Sequence, residues 1–126
     1  MENIYIDMGQ KKSILIVEDN DIHRKILSDA LTSKGYLVES AGDGFSALKK
    51  LENTSYDFLI TDNIMPGMGG LELIDEISRK RIVVKSFLIS GQLTKDIAAQ
   101  AKEKGVLECF DKPFSVNLIA KKLKES

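Results

Sequence analysis

Short apolar runs alternate along this chain with stretches of helical periodicity. Ile14-Leu15-Ile16-Val17 is a continuous apolar run of the kind found in strands buried on both faces. Ile22, Ile26, Leu27, Ala30 and Leu31 follow at helical spacing, closed by Gly35 as a C′ residue. Tyr36–Ser40 reads as the second strand, Ala41–Gly44 as a turn, and Phe45, Leu48 and Leu51 as one face of a short helix. Asp57–Thr61 is the third strand, with Leu71, Ile74 and Ile77 marking the next helix. Ser86–Ile89, a helix over Thr94–Lys104 resting on Ile97, Ala98 and Ala101, a brief strand Leu107–Phe110 and a helix over Ser115–Lys124 complete the series. Strict alternation of this kind predicts an α/β fold, a parallel sheet with helices on both faces.

At 126 residues the chain has room for one domain. Residues 1–12 read as an N-terminal extension and 13–126 as the domain. The extension lacks the basic region and apolar core of a secretory signal. No apolar run reaches the roughly 20 residues of a membrane span. A net charge of −1 offers no bulk attraction to nucleic acid or anionic membranes. The single cysteine, Cys109, excludes an intrachain disulfide framework and fits a reducing compartment.

In parallel α/β sheets the ligand site lies beyond the carboxyl ends of the strands, where strand order reverses. That rule selects Glu18 and Asp19 after strand one, Asp62 at the end of strand three, Ser90 at the end of strand four and Lys112 after strand five. Asp62 is followed at once by the loop Asn63-Ile64-Met65-Pro66-Gly67-Met68-Gly69-Gly70. Three converging carboxylates repel unless a cation lies among them, and a hard divalent ion such as Mg²⁺ suits oxygen donors. Lys112 and Ser90 add, on the other side, an ammonium and a hydroxyl suited to phosphoryl oxygens. Together these are the parts for phosphoryl transfer to an aspartate, with Asp62 as nucleophile.

Four segments, Ile14–Asn20, Thr61–Gly70, Ile89–Gly91 and Asp111–Phe114, resemble in order and spacing the receiver domains of two-component response regulators, chemotaxis regulators among them. The resemblance covers nearly the whole chain. It implies a flavodoxin-like, doubly wound sheet of five parallel strands in order 2-1-3-4-5 flanked by five helices. It makes Asp62 the phosphoacceptor, Asp19 a direct Mg²⁺ ligand, Glu18 a ligand through water, and the Ile64 backbone carbonyl a further ligand. Ser90 and Lys112 match the family's hydroxyl and lysine positions, and the Lys112-Pro113 bond is expected to be cis. Implied partners are a histidine kinase or histidine phosphotransfer protein and, through the face of helix four, strand five and helix five, a downstream protein or an output domain. A phosphorylation-dependent homodimer, a cytoplasmic location, slow autodephosphorylation and no direct contact with nucleic acid belong to the same expectation.

One position departs from the family pattern. Cys109 stands where relatives carry an aromatic residue three before the lysine, and Phe110, one later, should face the opposite side of the sheet. Two other functions draw on overlapping residues. A Mg²⁺-dependent phosphohydrolase with an aspartate nucleophile commonly needs an acid two residues after it, where this chain has Ile64. A receiver-like binding module that does not use phosphorylation has no need for Glu18, Asp19, Asp62, Ser90 and Lys112 together. His23, beside Arg24 and Lys25, reads as a surface histidine; Met65 and Met68 read as loop packing. Lys121, Lys122 and Lys124 complement the last helix dipole, and Ile64 and Gln92 flank the phosphorylation site, where they tune water access.

Overall fold

The apolar runs become five strands of one sheet: β1 (Ser13–Val17), β2 (Leu37–Ala41), β3 (Phe58–Asp62), β4 (Lys85–Ser90) and β5 (Glu108–Asp111). In the computed structural model, which describes residues 11–126, each strand pairs in parallel with its neighbours in the order β2-β1-β3-β4-β5. Of the N-terminal extension, residues 1–10 lie outside the described residues. The helices are α1 (Asp21–Ser33), α2 (Gly44–Asn53), α3 (Gly70–Arg79), α4 (Lys95–Glu103) and α5 (Val116–Glu125). The fold is the doubly wound, flavodoxin-like arrangement that the family resemblance implied.

Burial along the strands follows their place in the sheet. All five residues of β3 are buried, whereas edge strand β2 alternates exposed and half-buried residues before Ala41. Side chains alternate between faces, and two cores result. Ile14, Ile16, Phe58, Ile60, Phe87 and Phe110 point to one side, where Leu27 and Leu31 of α1 and Ile119 and Leu123 of α5 cover them. Leu15, Val17 and Leu59 point to the other, under Ala47 and Leu51 of α2 and Leu73 and Ile77 of α3. A smaller cluster of Ile74, Leu88, Ala101 and Val106 seats α4, of which Ala101 is the one buried residue.

The helices begin and stop where local chemistry allows. Asn20, Asp43, Thr94 and Ser115 cap four N-termini by accepting a backbone N–H from three residues on. Gly35 has φ +100°, the left-handed geometry expected of a residue just past a helix end.

Two helix faces differ from expectation. Ile22 and Ile26 are 69% and 50% exposed, and α1 meets the sheet through Leu27 and Leu31 instead. Phe45 is 62% exposed and lies against Gly67, while Gly44, Ala47 and Leu51 face inward from α2. Each amphipathic stripe is wider than the area of sheet available to it, so its outer members stay in water.

Candidate functional site

The chain leaves β1 at Val17 and enters α1 within four residues, so Glu18 and Asp19 lie on the tight connection at the sheet's carboxyl edge. The Glu18 N–H continues the ladder to the Ala41 carbonyl (3.1 Å), and the Glu18 carbonyl accepts from Arg24 Nη1 (2.8 Å). Both ends of the residue are therefore held. Its side chain is held too: Oε2 accepts the Asn20 N–H (3.0 Å) and Oε1 accepts from Lys112 Nζ (2.7 Å). Glu18 is buried and Asp19 exposed.

Asp62 is the last residue of β3 and is 5% exposed. The strand is followed by a loop pressed against the start of α3. The Asn63 N–H bonds to the Ile89 carbonyl and the Gly70 N–H to the Asn63 carbonyl, both at 2.9 Å. A Cβ at Gly70 would sit 2.4 Å from the Asp62 carbonyl oxygen, and one at Gly69 would sit 2.7 Å from that of Asn63. Sequence reading recognised the Gly-Gly pair as loop chemistry. That Gly70 is needed for close backbone approach to Asp62, and Gly69 for approach to Asn63, emerges only from the packing.

Ser90 ends β4 fully buried, its Oγ accepting the Gln92 N–H at 3.1 Å. Lys112 follows β5 and is tied back by its N–H to the Ser90 carbonyl (3.1 Å). The Lys112-Pro113 bond is cis, as expected. Lys112 Nζ lies 2.7 Å from Glu18 Oε1 and 3.1 Å from Asp62 Oδ2. It thus sits among the acids, and not on the other side of the site as the sequence reading had it, because an ammonium next to buried carboxylates is most stable bonded to them. Burial alone would lower the Lys112 pKa. Its hydrogen bonds to Glu18 and Asp62 and their charges outweigh burial and hold it above the ordinary lysine value.

Carboxylate oxygens of Glu18, Asp19 and Asp62 lie within 4.8 Å of one another. Three oxygen donors from three positions, one of them exposed, suit a hard divalent ion that keeps part of its water shell. The residues therefore fit a Mg²⁺ site. Ile64 lines the same cleft, half exposed. Phe110 is buried and stacks on Phe87 (centroids 6.2 Å apart), while Cys109 lies on the opposite face against the α4 cluster. Burial raises the Cys109 thiol pKa above its ordinary value.

Three contributors escaped sequence reading. Arg24 and Asn20 brace Glu18 through backbone contacts that no side-chain pattern announces. His23 is half exposed, as expected of a surface histidine, and its ring also borders the acidic cleft, with its Nδ1 turned inward without a hydrogen-bond partner.

A carboxylate-lined cleft at the switch point of a 2-1-3-4-5 sheet puts the chain in the class of doubly wound α/β domains that bind a ligand at the sheet's carboxyl edge. Within that class the chain belongs to the response regulator receiver domain family, whose sequence model matches residues 14–124. The sensor protein EvgS of Escherichia coli (strain K12) is 37% identical over 118 residues, covering 90% of this chain and 10% of that protein. The DNA-binding transcriptional regulator NtrC of Azospirillum brasilense is 32% identical over 104 residues, covering 82% of this chain and 22% of that protein. The chain thus spans a small part of the curated relatives it matches. Among solved structures, a CheY-like response regulator receiver domain protein from Methanospirillum hungatei JF-1 superposes with a TM-score of 0.86. It is 27% identical and covers 92% of this chain and 93% of that one. The chain is accordingly a receiver domain of two-component phosphorelay signalling.

Proposed function

We propose that Asp62 is the residue phosphorylated, and that the phosphoryl group comes from a phosphohistidine of a kinase or phosphotransfer protein. A carboxylate oxygen of Asp62 attacks phosphorus. The bond from phosphorus to the donor imidazole nitrogen breaks with its electron pair going to that nitrogen, and an acyl phosphate forms. Asp19, Asp62 and the Ile64 carbonyl would hold Mg²⁺, with Glu18 acting through water, since both its carboxylate oxygens already accept hydrogen bonds. The ion supplies neutralisation of phosphoryl charge during transfer. Lys112 turns from Glu18 toward the new phosphoryl oxygens and neutralises one of them. The Ser90 hydroxyl can donate to another while still accepting the Gln92 N–H, because a hydroxyl both donates and accepts.

The observation that carries this reading is the single ammonium, Lys112, bonded to both Asp62 and Glu18 at the edge of the acidic cluster. The chain takes up one phosphoryl group per cycle and loses it slowly to water. Ile64 and Gln92 line the approach to Asp62 and tune that loss. An apolar, half-exposed Ile64 two residues after Asp62 offers no second acid for multiple-turnover hydrolysis.

Readout runs through Ser90 and the loop after it to the face of α4, β5 and α5. The light anchoring of α4, through Ala101, supports this route. That face would meet a downstream protein, an output domain or a second copy of the chain. No helix among the described residues is long and apolar enough to cross a membrane; the reading has the domain working in the cytoplasm.

Incubation with acetyl phosphate and Mg²⁺ followed by intact-mass measurement tests the assignment. One phosphoryl adduct is expected on the wild type and none on Asp62→Asn. An undiminished adduct on Asp62→Asn overturns it.

A further inference from the structure

Arg24 takes no part in the phosphoryl chemistry above, yet its guanidinium is wedged between the loop after β1, the start of α1 and the loop after β2. Nη1 donates to the Glu18 carbonyl at 2.8 Å, and Nη2 donates to Asp21 Oδ1. A Cβ at Gly42, in the loop after β2, would lie 3.2 Å from Nη1, so the guanidinium rests against that backbone. The Arg24 N–H bonds to the Asn20 carbonyl at 2.9 Å, which places the residue on the first turn of α1, reaching back to the loop. Its side chain is 24% exposed and that of Asp21 87% exposed. An ion pair with so open a partner adds little to stability. What the pair does is fix the plane of the guanidinium, leaving Nη1 aimed at the carbonyl.

The Glu18 carbonyl belongs to the peptide unit that joins Glu18 to Asp19. That unit is planar, so fixing its oxygen also fixes the direction in which the chain continues to the Asp19 Cα. Glu18 has further ties, through its N–H to Ala41 and through its side chain to Asn20 and Lys112. Asp19 has none of these: its side chain is exposed and makes no hydrogen bond among the described residues. Its carboxylate nevertheless stands within 4.8 Å of those of Glu18 and Asp62. The backbone on which it is mounted keeps it there, and Arg24 holds that backbone.

We propose that Arg24 is a positioning residue for Mg²⁺. By clamping the Glu18–Asp19 peptide unit with one arm of its fork and Asp21 with the other, it keeps the Asp19 carboxylate in the acidic cluster and raises the affinity for the ion. The inference rests on reading that cluster as the Mg²⁺ site. Its sign sets it apart from simple electrostatics. As a charge alone, a cation beside the cluster repels Mg²⁺, and removing it also frees the Asp21 carboxylate; both effects tighten Mg²⁺ binding. Positioning predicts the reverse.

The test compares the full chain as wild type, Arg24→Lys and Arg24→Met. Each is titrated calorimetrically with Mg²⁺, and its phosphorylation by acetyl phosphate is followed by intact mass as Mg²⁺ is varied. Arg24→Met keeps an unbranched apolar stem and no donor. Arg24→Lys keeps the charge as a point donor that cannot hold both acceptors in the geometry of the fork. Loss of an outer-shell partner typically costs ~10–100-fold in metal affinity, so Arg24→Met should bind Mg²⁺ at least about tenfold more weakly. Arg24→Lys should fall between it and wild type. The Mg²⁺ concentration giving half-maximal phosphorylation should rise in the same order, with a smaller change in the rate at saturating Mg²⁺, because Asp62, Ser90 and Lys112 are untouched. A merely structural role lowers the fraction of chain that binds and leaves the affinity of the folded fraction unchanged; that result overturns the inference. Wild-type or tighter Mg²⁺ affinity in Arg24→Met also overturns it and leaves the proposed function standing. If Arg24→Met does not fold, the same result in Arg24→Lys overturns it. Failure of Mg²⁺ to bind the wild type overturns both.

Discussion

Gly70 is as important to the site as any charged residue. The space a side chain would need there is filled by the Asp62 carbonyl at 2.4 Å, and by the Asn63 Cα and Leu88 Cδ1 at 3.0 Å. A single methyl therefore has to push the backbone that carries Asp62. Gly70→Ala is expected to destabilise the fold by about 1–3 kcal/mol, the usual range for overpacking, read as a lower urea midpoint. It should also slow phosphorylation, whereas an equally destabilising change in a core remote from the site should not. The charged residues of the site were legible from their positions at strand ends. Gly70 was legible as loop chemistry, but its function was not, since that depends on an approach between the strand end and the helix start. His23 is the half-exposed surface residue its sequence suggested, and only its place beside the cleft was not legible. Its ring meets Phe114, ninety-one residues on, edge to face, a contact that exists only once the chain is folded.

Edge strand β2 is joined to the body of the sheet by more than its ladder with β1. The Tyr56 hydroxyl, from the loop before β3, donates to Glu39 Oε1 of β2 at 2.8 Å, and Lys50 Nζ of α2 lies 3.7 Å from the same oxygen. Burial, then the Glu39 hydrogen bond and charge, push the Tyr56 pKa up from 10.0 to about 12. The folded state thus keeps a proton that the unfolded chain releases first. The stabilisation is complete below the unfolded value and is lost as pH rises from about 10 to about 12, with a slope of at most ~1.4 kcal/mol per pH unit. In Tyr56→Phe this part of the alkaline loss should vanish, while the missing hydrogen bond costs about 1 kcal/mol at neutral pH. Urea unfolding of both proteins across that range measures the difference. At this scale sequence reading found every strand and helix, with strand boundaries shifted by about one residue. It erred on which residues of α1 and α2 face inward. Periodicity identifies a stripe, but the width of the sheet beneath decides how much of it is covered, and Ile22, Ile26 and Phe45 fall outside that width.

The two cores meet the sheet from opposite sides, and the larger is organised around Phe87. Fully buried in β4, it lies edge-on to Phe58 at 6.0 Å and stacked on Phe110 at 6.2 Å, linking β3, β4 and β5. Phe87→Ala should cost about 3–5 kcal/mol, a large share of the ~5–15 kcal/mol typical of a whole domain. Urea unfolding would show it, and Phe87→Leu should recover most of the loss. The same core settles the departure at Cys109: Phe110 is committed to Phe87 and cannot serve the opposite face, where Cys109 packs near α4. Alternating apolar runs and helical stripes by themselves determined a parallel α/β sheet, and the strand-end rule then named Glu18, Asp19, Asp62, Ser90 and Lys112. Both are local properties, set by side-chain period and by where a strand must stop. Tertiary structure alone decided that Lys112 bonds Glu18 as well as Asp62, that Gly70 admits no side chain, and that His23 Nδ1 is buried beside Glu18. Each of those depends on distances between segments far apart in sequence or turned onto one another, and those distances exist only once the sheet has brought the strand ends to one edge.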